Sequence, residues 1–432
     1  MLFLFDNLRE GNHTGVDPTI FPIFQQYVIN QAIAFTLLPF LPLLPLLPLL
    51  PLSKPPRRIQ RSTMNAFDFR FAIISDPHIA VPQTIQNHKQ RFHLVEVSIP
   101  ALEQIADHLS RENIDFLLLP GDLTQHGEPE NHAWLGKKLA ALPFPTYVIP
   151  GNHDVPVWQR DGYSIGFSEF PSYYRYCGYG GENRLYYTQQ ILPGVRLIGL
   201  NSNIFHQDKQ LGCLDGEQME WLEGVLAEAT EPLVMVMVHH NVIEHLPNQA
   251  QHPLGRRYML DNAPELRQLL RRYGVQLVFT GHLHVQDVAY QDGLYDITTG
   301  SLVSYPHPYR ICRFRQDERG QRSLQVESYH IQSVAGWENL PDISREWIGD
   351  RSHPFMMRLL TDHPLKFPET EAERLVPDLR YFWAHICQGD SLFDFSHFPP
   401  QARRYFENFG AIAAEGHLEF IDNHAVFLLE SF

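Results

Sequence analysis

Cysteine is scarce in this 432-residue chain, and the four present (Cys177, Cys213, Cys312, Cys387) lie far apart with no CxxC spacing. That scatter argues against a disulfide framework and reads as unpaired thiols in a reducing, cytoplasmic compartment. Positive charge is also short: 34 Lys and Arg face 49 Asp and Glu, a formal net charge of −15. A general nucleic-acid binder needs a basic face to displace counterions, so that class is set aside. Long uninterrupted apolar runs are missing too. Residues 35–52 are apolar, but Pro39, Pro42, Pro45, Pro48 and Pro51 recur at every third position. Proline removes a helix donor and clashes with the preceding turn, which rules out a regular membrane helix here and suits polyproline II. The run makes a poor signal peptide, because its basic residues (Lys54, Arg57, Arg58, Arg61) follow it. The reading is an upstream extension or disordered arm over 1–63, with the functional chain starting near Met64. A membrane-associated leader is the minority alternative. No internal repeat is evident.

What is present is ordinary for a globular protein: 44 % hydrophobic and 19 % charged residues. The length suits one large domain with an appendage, or two domains. From Phe67 onward the pattern is strand, loop, helix, repeated. Apolar strands are expected at 69–74, 116–119, 147–149, 195–201, 233–238 and 275–279, then near 295–298, 309–314 and 323–331. Helices are expected at 92–109, broken or kinked at Pro100, at 129–141, at 215–229 capped by Asp215, and at 264–273. Residues 155–190, aromatic and glycine-rich, read as a surface-packed loop or a lid. Residues 337–432 hold 16 acidic against 8 basic residues, about half the net charge, with short helices expected in 371–387 and 401–409. The expected organisation is a leader (1–63), a catalytic domain (64–335) and an acidic, mainly helical cap or homo-oligomerisation appendage (336–432).

Polar groups crowd the ends of five of these strands: Asp76 and His78, Asp122, Asn152 and His153, His239 and His240, His282 and His284. In open α/β sheets, ligands gather outside the carboxyl ends of strands, so such ends can face one crevice. Each piece alone is weak. An Asp-x-His or His-x-His pair is more often a loop or a surface histidine, and Asp122 after glycine is an ordinary turn residue. In this order, each behind a buried strand, they read as one site. Asp76, His78, Asp122, Asn152, His239, His282 and His284 offer carboxylates, imidazoles and one amide carbonyl, with no thiolate. That mixture suits Mn, Fe or Zn better than Ca or Mg, and its number fits two ions sharing a bridging carboxylate.

The series Asp76-x-His78, Gly121-Asp122, Gly151-Asn152-His153-Asp154, His239 and Gly281-His282-x-His284 resembles the calcineurin-like metallophosphoesterases over about residues 66–335. The resemblance implies a four-layer α/β/β/α sandwich of two mixed sheets with two divalent or trivalent metal ions at the strand ends. Carried over by motif, one ion falls to Asp76, His78, Asp122 and His284, and the other to Asp122, Asn152, His239 and His282, with Asp122 bridging. His153 matches the family's non-ligand histidine, which contacts phosphate and assists the leaving group. Asp154 in place of Glu, and Pro150 in place of Arg, make the chain similar to the cyclic-nucleotide and glycerophosphodiester phosphodiesterase branch rather than the Ser/Thr protein phosphatases. Pro77 departs from the usual small polar residue between the first two ligands but donates no ligand.

The chemistry expected is phosphoester hydrolysis by in-line attack of a metal-bridging hydroxide, with His153 protonating or hydrogen-bonding the departing alkoxide. Small phosphodiesters, cyclic nucleotides such as 3',5'-cAMP among them, are the expected substrates. A phosphomonoesterase or nucleotide pyrophosphatase is the alternative. A scaffold of the same fold without chemistry is the second, and it needs none of the seven ligands or His153. Neither nucleic-acid binding nor a stable membrane span is expected.

Overall fold

The apolar runs become strands of two mixed six-stranded sheets. The computed structural model describes residues 67–86, 91–181, 183–206, 209–412 and 416–430, so the 1–63 leader lies outside the described residues. In the first sheet β1 (Asp68–Ile73), β2 (Phe116–Leu119) and β3 (Thr146–Val148) run parallel, side by side. All four residues of β2 are buried, as expected of a parallel strand covered on both faces. The second sheet contains β4 (Tyr187–Leu192), β5 (Val195–Gly199), β8 (Leu233–Met237), β9 (Leu277–Thr280), β10 (Asp287–Gln291) and β11 (Leu294–Thr298). Its order is β10-β11-β9-β8-β5-β4, with β5, β8, β9 and β11 parallel. Between β5 and β8, a separate hairpin is made by β6 (Asn203–His206) and β7 (Lys209–Gly212). The antiparallel strands β12 (Pro308–Gln316), β13 (Arg322–His330) and β14 (His424–Leu429) complete the first sheet beyond β1.

Helices cover both outer faces. α1 (Ser98–Leu109) and α2 (Pro129–Ala140) set Ala101, Leu102, Ile105, Leu135 and Leu139 against the first sheet. α3 (Gly216–Glu228) and α4 (Ala263–Arg272) set Leu222, Leu226, Leu266 and Leu270 against Ile198, Val236 and Val278 of the second. Between the sheets, Phe71 of β1 meets Phe279 of β9 edge-on at 5.5 Å. The layers are α/β/β/α. The Asp215 cap forms as expected: its Oδ1 accepts from Gln218 N at 2.7 Å.

Three expectations need correction. The first helix begins at Ser98, not near 92, and Pro100 does not break it. That proline lies in the first turn, where a backbone N–H has no intrahelical acceptor to lose. The 155–190 segment supplies β4 at its end, a strand too mixed in polarity to stand out. The C-terminal region also holds more than short helices. α5 (Leu340–Thr361) is its longest element, followed by α6 (Glu369–Leu375), α7 (Phe382–Gln388) and α8 (Pro400–Glu407). α5 is hard to read from sequence because Pro354 lies within it and its apolar residues favour no one face. After α8 the chain returns as β14 to the edge of the first sheet. A third core joins these helices to Leu254, Leu283 and Val285. Among the described residues no helix is long and apolar enough to cross a membrane.

Phe71→Ala is expected to cost about 3–5 kcal/mol, because it opens a cavity between the sheets. Val426→Ser, on a residue 61 % exposed, is expected to stay within about 0.5 kcal/mol of wild type. Urea midpoints of the two variants check both.

Candidate metal centre

Strands β1, β2 and β3 of one sheet and β8 and β9 of the other end on the same rim. The loop after β1 carries Asp76 and His78, that after β2 Asp122, and that after β3 Asn152 and His153. His239 follows β8, and His282 and His284 follow β9. All eight residues singled out from the sequence are brought together there.

They form two overlapping donor groups. Ligand-type atoms of Asp76, His78, Asp122 and His284 lie within 4.8 Å of one another, as do those of Asp122, His239 and His282. In the first group His284 Nε2 is 3.1 Å from Asp76 Oδ1 and 3.3 Å from His78 Nε2. In the second, His239 Nε2 is 3.2 Å from Asn152 Oδ1. Asp122 faces both: its Oδ2 is 3.4 Å from His239 Nε2 and 3.9 Å from His78 Nε2. Its Oδ1 accepts from the backbone N–H of His153 at 2.8 Å. The His153 ring stands edge-on to His78 at 4.7 Å, and its Nδ1 donates to Gln125 O at 2.6 Å.

Tautomers follow from the outer partners. His239 Nδ1 donates to Pro120 O at 2.8 Å, and His282 Nε2 to Arg257 O at 3.3 Å. Each ring therefore keeps its other nitrogen as a lone pair for the site, as ligating histidines do. Burial, with His93 and His153 nearby, holds the His78 imidazole well below its ordinary range, so it is a neutral donor. Burial opposes the ionised Asp122, but the His239 and His153 imidazoles outweigh it and hold the carboxyl well below its ordinary range. Burial likewise opposes a charge on His239, yet without a cation the Asp122 carboxylate lifts that imidazole to about 9, and an ion bound at Nε2 would displace that proton and restore the lone pair. Two imidazole nitrogens 3.3 Å apart beside carboxylates, both aimed at one point, fit a shared cation better than each other. The donor set fits the metals implied by the resemblance.

The backbone here is tightly constrained. Asp76, His78, Asp122, His282 and His284 all have φ between 41° and 67°, the left-handed region that side chains disfavour. Gly281 is required by close approach: a Cβ there would meet Ser75 Oγ at 2.2 Å and Asp76 Oδ2 at 2.5 Å. Buried carboxylates tie the loops together. Asp154 accepts from the N–H groups of Leu123, Thr124 and Gly151 at 2.8–3.0 Å, joining the β2 and β3 loops. Burial and Asp122 raise its acid to about 7 against those donors. Asp296 of β11 accepts from Val242 N, Ile243 N and Thr280 Oγ1, joining the loops of His239 and His282.

Sequence reading missed Asp296, Gln125 and His93. His93 is buried and stacks on His78, and none of the three stands in a local pattern that could have marked it. His240 is buried, with Nδ1 2.7 Å from Ser202 Oγ and its ring 4.4 Å from that of His282, and burial pushes it down to about 3. The 155–190 loop reaches the crevice, since Tyr163 lies 6.3 Å from His126, which stacks on His153 at 5.6 Å.

The sequence model of the calcineurin-like phosphoesterase family matches residues 69–286, a span that holds all eight site residues. The chain is 28 % identical over 235 residues to a probable cyclic nucleotide phosphodiesterase of Synechococcus sp., covering 54 % of this chain and 79 % of that one. Similarity to a probable glycerophosphodiester phosphodiesterase of Arcobacter nitrofigilis is 28 % over 217 residues, covering 49 % and 70 %. A 3',5'-cyclic-nucleotide phosphodiesterase of Nostoc sp. is 30 % identical over 176 residues, covering 40 % and 57 %.

Gly281→Ala is expected to weaken metal binding by about 10–100-fold, the usual cost of disturbing the shell behind a ligand. Equilibrium dialysis of the variant against wild type checks this. A pH effect follows from His245, whose Nδ1 is 2.6 Å from Asp287 and whose Nε2 is 3.3 Å from Asp296, the latter off the hydrogen-bond line. Burial opposes its charge, but Asp296 and Asp287 raise it from 6.5 to about 10. A raised pKa stabilises fully below the ordinary value and is lost as pH climbs through the folded one. Melting temperature should therefore fall between pH 7 and about 10, and His245→Gln should flatten that fall.

Proposed function

Because the chain belongs to the calcineurin-like phosphoesterase family, and so is a metal-dependent phosphoester hydrolase, we propose that it is a phosphodiesterase acting on small phosphodiesters. Cyclic nucleotides such as 3',5'-cAMP are among its substrates. The observation that carries this reading is the pair of donor groups sharing Asp122, with His153 beside them. Relatives named for cyclic-nucleotide and glycerophosphodiester cleavage support a diester over a monoester.

Asp76, His78, Asp122 and His284 would hold one ion, and Asp122, Asn152, His239 and His282 the other. Mn, Fe or Zn suits these oxygen and nitrogen donors. Such ions, when bound, neutralise the diester's charge and lower the pKa of a water from 15.7 toward about 7. The chain's own residues do the rest. Asp122 and Gln125 hold His153 from two sides, through its backbone N–H and its Nδ1. Nε2 is left to carry a proton to the departing oxygen, so His153 is the general acid. Burial of Asp76, His78, Asp122 and His239 lowers the local dielectric, which strengthens the charge interactions among them. Four unpaired cysteines, three of them buried, favour a reducing, cytoplasmic compartment.

Hydrolysis of bis(p-nitrophenyl) phosphate against p-nitrophenyl phosphate by the Mn²⁺-loaded protein tests the substrate class. Diester turnover should exceed monoester turnover and vanish in Asp122→Ala; the reverse preference would make it a monoesterase. His153→Ala should cut turnover by about 10²–10⁴-fold while metal content stays at the wild-type level. Loss of metal in that variant would remove His153 from the acid role.

A further inference from the structure

The two donor groups are not supported alike. In the second, carbonyls of Pro120 and Arg257 orient His239 and His282. In the first, His78 has no such partner: its Nδ1 is buried and makes no hydrogen bond. A ligating histidine ordinarily donates its second N–H to an acceptor, and that contact fixes the plane of the ring. Without it, rotation of the ring would swing Nε2 away from Asp122 and His284.

A second ring takes the place of the missing acceptor. His93 lies flat against His78, with centroids 4.5 Å apart and planes 16° from parallel. His93 is pinned in turn. Its Nε2 donates to Gln125 Oε1 at 3.0 Å, and Gln125 Nε2 faces His126 Nε2 at 3.3 Å, so the amide cannot turn without losing a contact. The backbone around it is held on three sides. Leu94 N donates to Val303 O at 2.7 Å, the Arg91 guanidinium pairs with Glu96, and Arg91 O accepts from Trp347 Nε1 at 2.8 Å. Trp347 belongs to α5, with the Arg351 guanidinium 3.5 Å over its ring. The same C-terminal helices pack on Leu283 and Val285, which flank His284, and Cys387 O accepts from Gln286 N at 3.1 Å. All these helices lie beyond the matched residues 69–286.

We infer that His93 is a positioning residue that orients His78 by stacking, and that α5 holds it there through Trp347. The C-terminal helices thereby set how tightly the first donor group keeps its ion. This rests on the reading that Asp76, His78, Asp122 and His284 hold an ion. The role requires a flat ring at position 93 rather than a nitrogen. A nitrogen of His93 also lies within 4.8 Å of ligand-type atoms of His78 and His284, so direct ligation is the competing role.

Co²⁺ titration of the full chain, read by bound-metal stoichiometry, visible absorption and chelator competition, separates the two. Wild type should bind two ions. His93→Ala should bind one of them about 10–100-fold more weakly while the other is unchanged. That second ion doubles as a control for folding. His93→Phe, which restores the ring without its nitrogens, should return affinity close to wild type. Trp347→Phe, which keeps the packing and loses the donor, should weaken the same ion by about fivefold, one ordinary hydrogen bond. Equal losses in His93→Phe and His93→Ala would show that the nitrogen ligates and overturn the stacking role. Two ions held at wild-type strength by His93→Ala would overturn it as well. A wild type that binds no ion would sink the site reading, and this inference with it.

Discussion

Taking a carboxylate out of water costs several kcal/mol unless positive charge or donors surround it. Asp122 is only 1 % exposed, yet it stands between imidazoles of both donor groups and accepts from the backbone of His153. Every neighbour of that carboxylate comes from a different strand end. Parallel β1, β2 and β3 and parallel β8 and β9 must therefore end level, or the charge is left unpartnered. The inter-sheet core around Phe71 and Phe279 keeps them level. In this molecule packing and chemistry constrain one another at Asp122.

Such a site does not hold itself together. Its residues repel, compete for protons and sit on left-handed backbone that costs of order 1–3 kcal/mol per residue. Buried acids beyond the donor set supply the restraint. Asp154 gathers N–H groups of the β2 and β3 loops, and Asp296 those of the β8 loop. Each strut bridges neighbours within one sheet, so the two sheets are each rigid at the rim. The donor set crosses between them, alongside contacts such as Ser301 Oγ to Asp76 O at 2.8 Å and Asn203 Nδ2 to Pro150 O at 3.0 Å.

The C-terminal region belongs to this scheme structurally. It contributes an edge strand to the first sheet and a hydrophobic core that includes Leu283 and Val285 from between and beside the histidines of the β9 loop. A surface appendage would leave those residues to solvent. Removing the region would expose them and undo the contact between α5 and the segment that bears His93.

Much of this was legible in the chain itself. The eight site residues, the buried strands that precede them and the strand–helix alternation follow from local patterns, apolar runs of strand length each followed closely by a ligand-type side chain, whereas the four-layer stacking was what the family resemblance implied. The start of α1, β4, α5 and β14 were not legible, because Pro100 lies where a helix tolerates it, β4 is mixed in polarity, Pro354 falls within α5, and β14, though apolar, carries no mark of the distant strand it joins. His93, Gln125 and Asp296 were invisible for a different reason. A ligand motif is written in adjacent residues, since one tight loop must present it, and so sequence alone determined which side chains could hold metal. The shell that orients those side chains is assembled from segments far apart in the chain, with no spacing to constrain them. Only the packing of α5 against the segment before α1, and of β11 beside β9, decided which buried histidine and which buried aspartate came to stand behind the site.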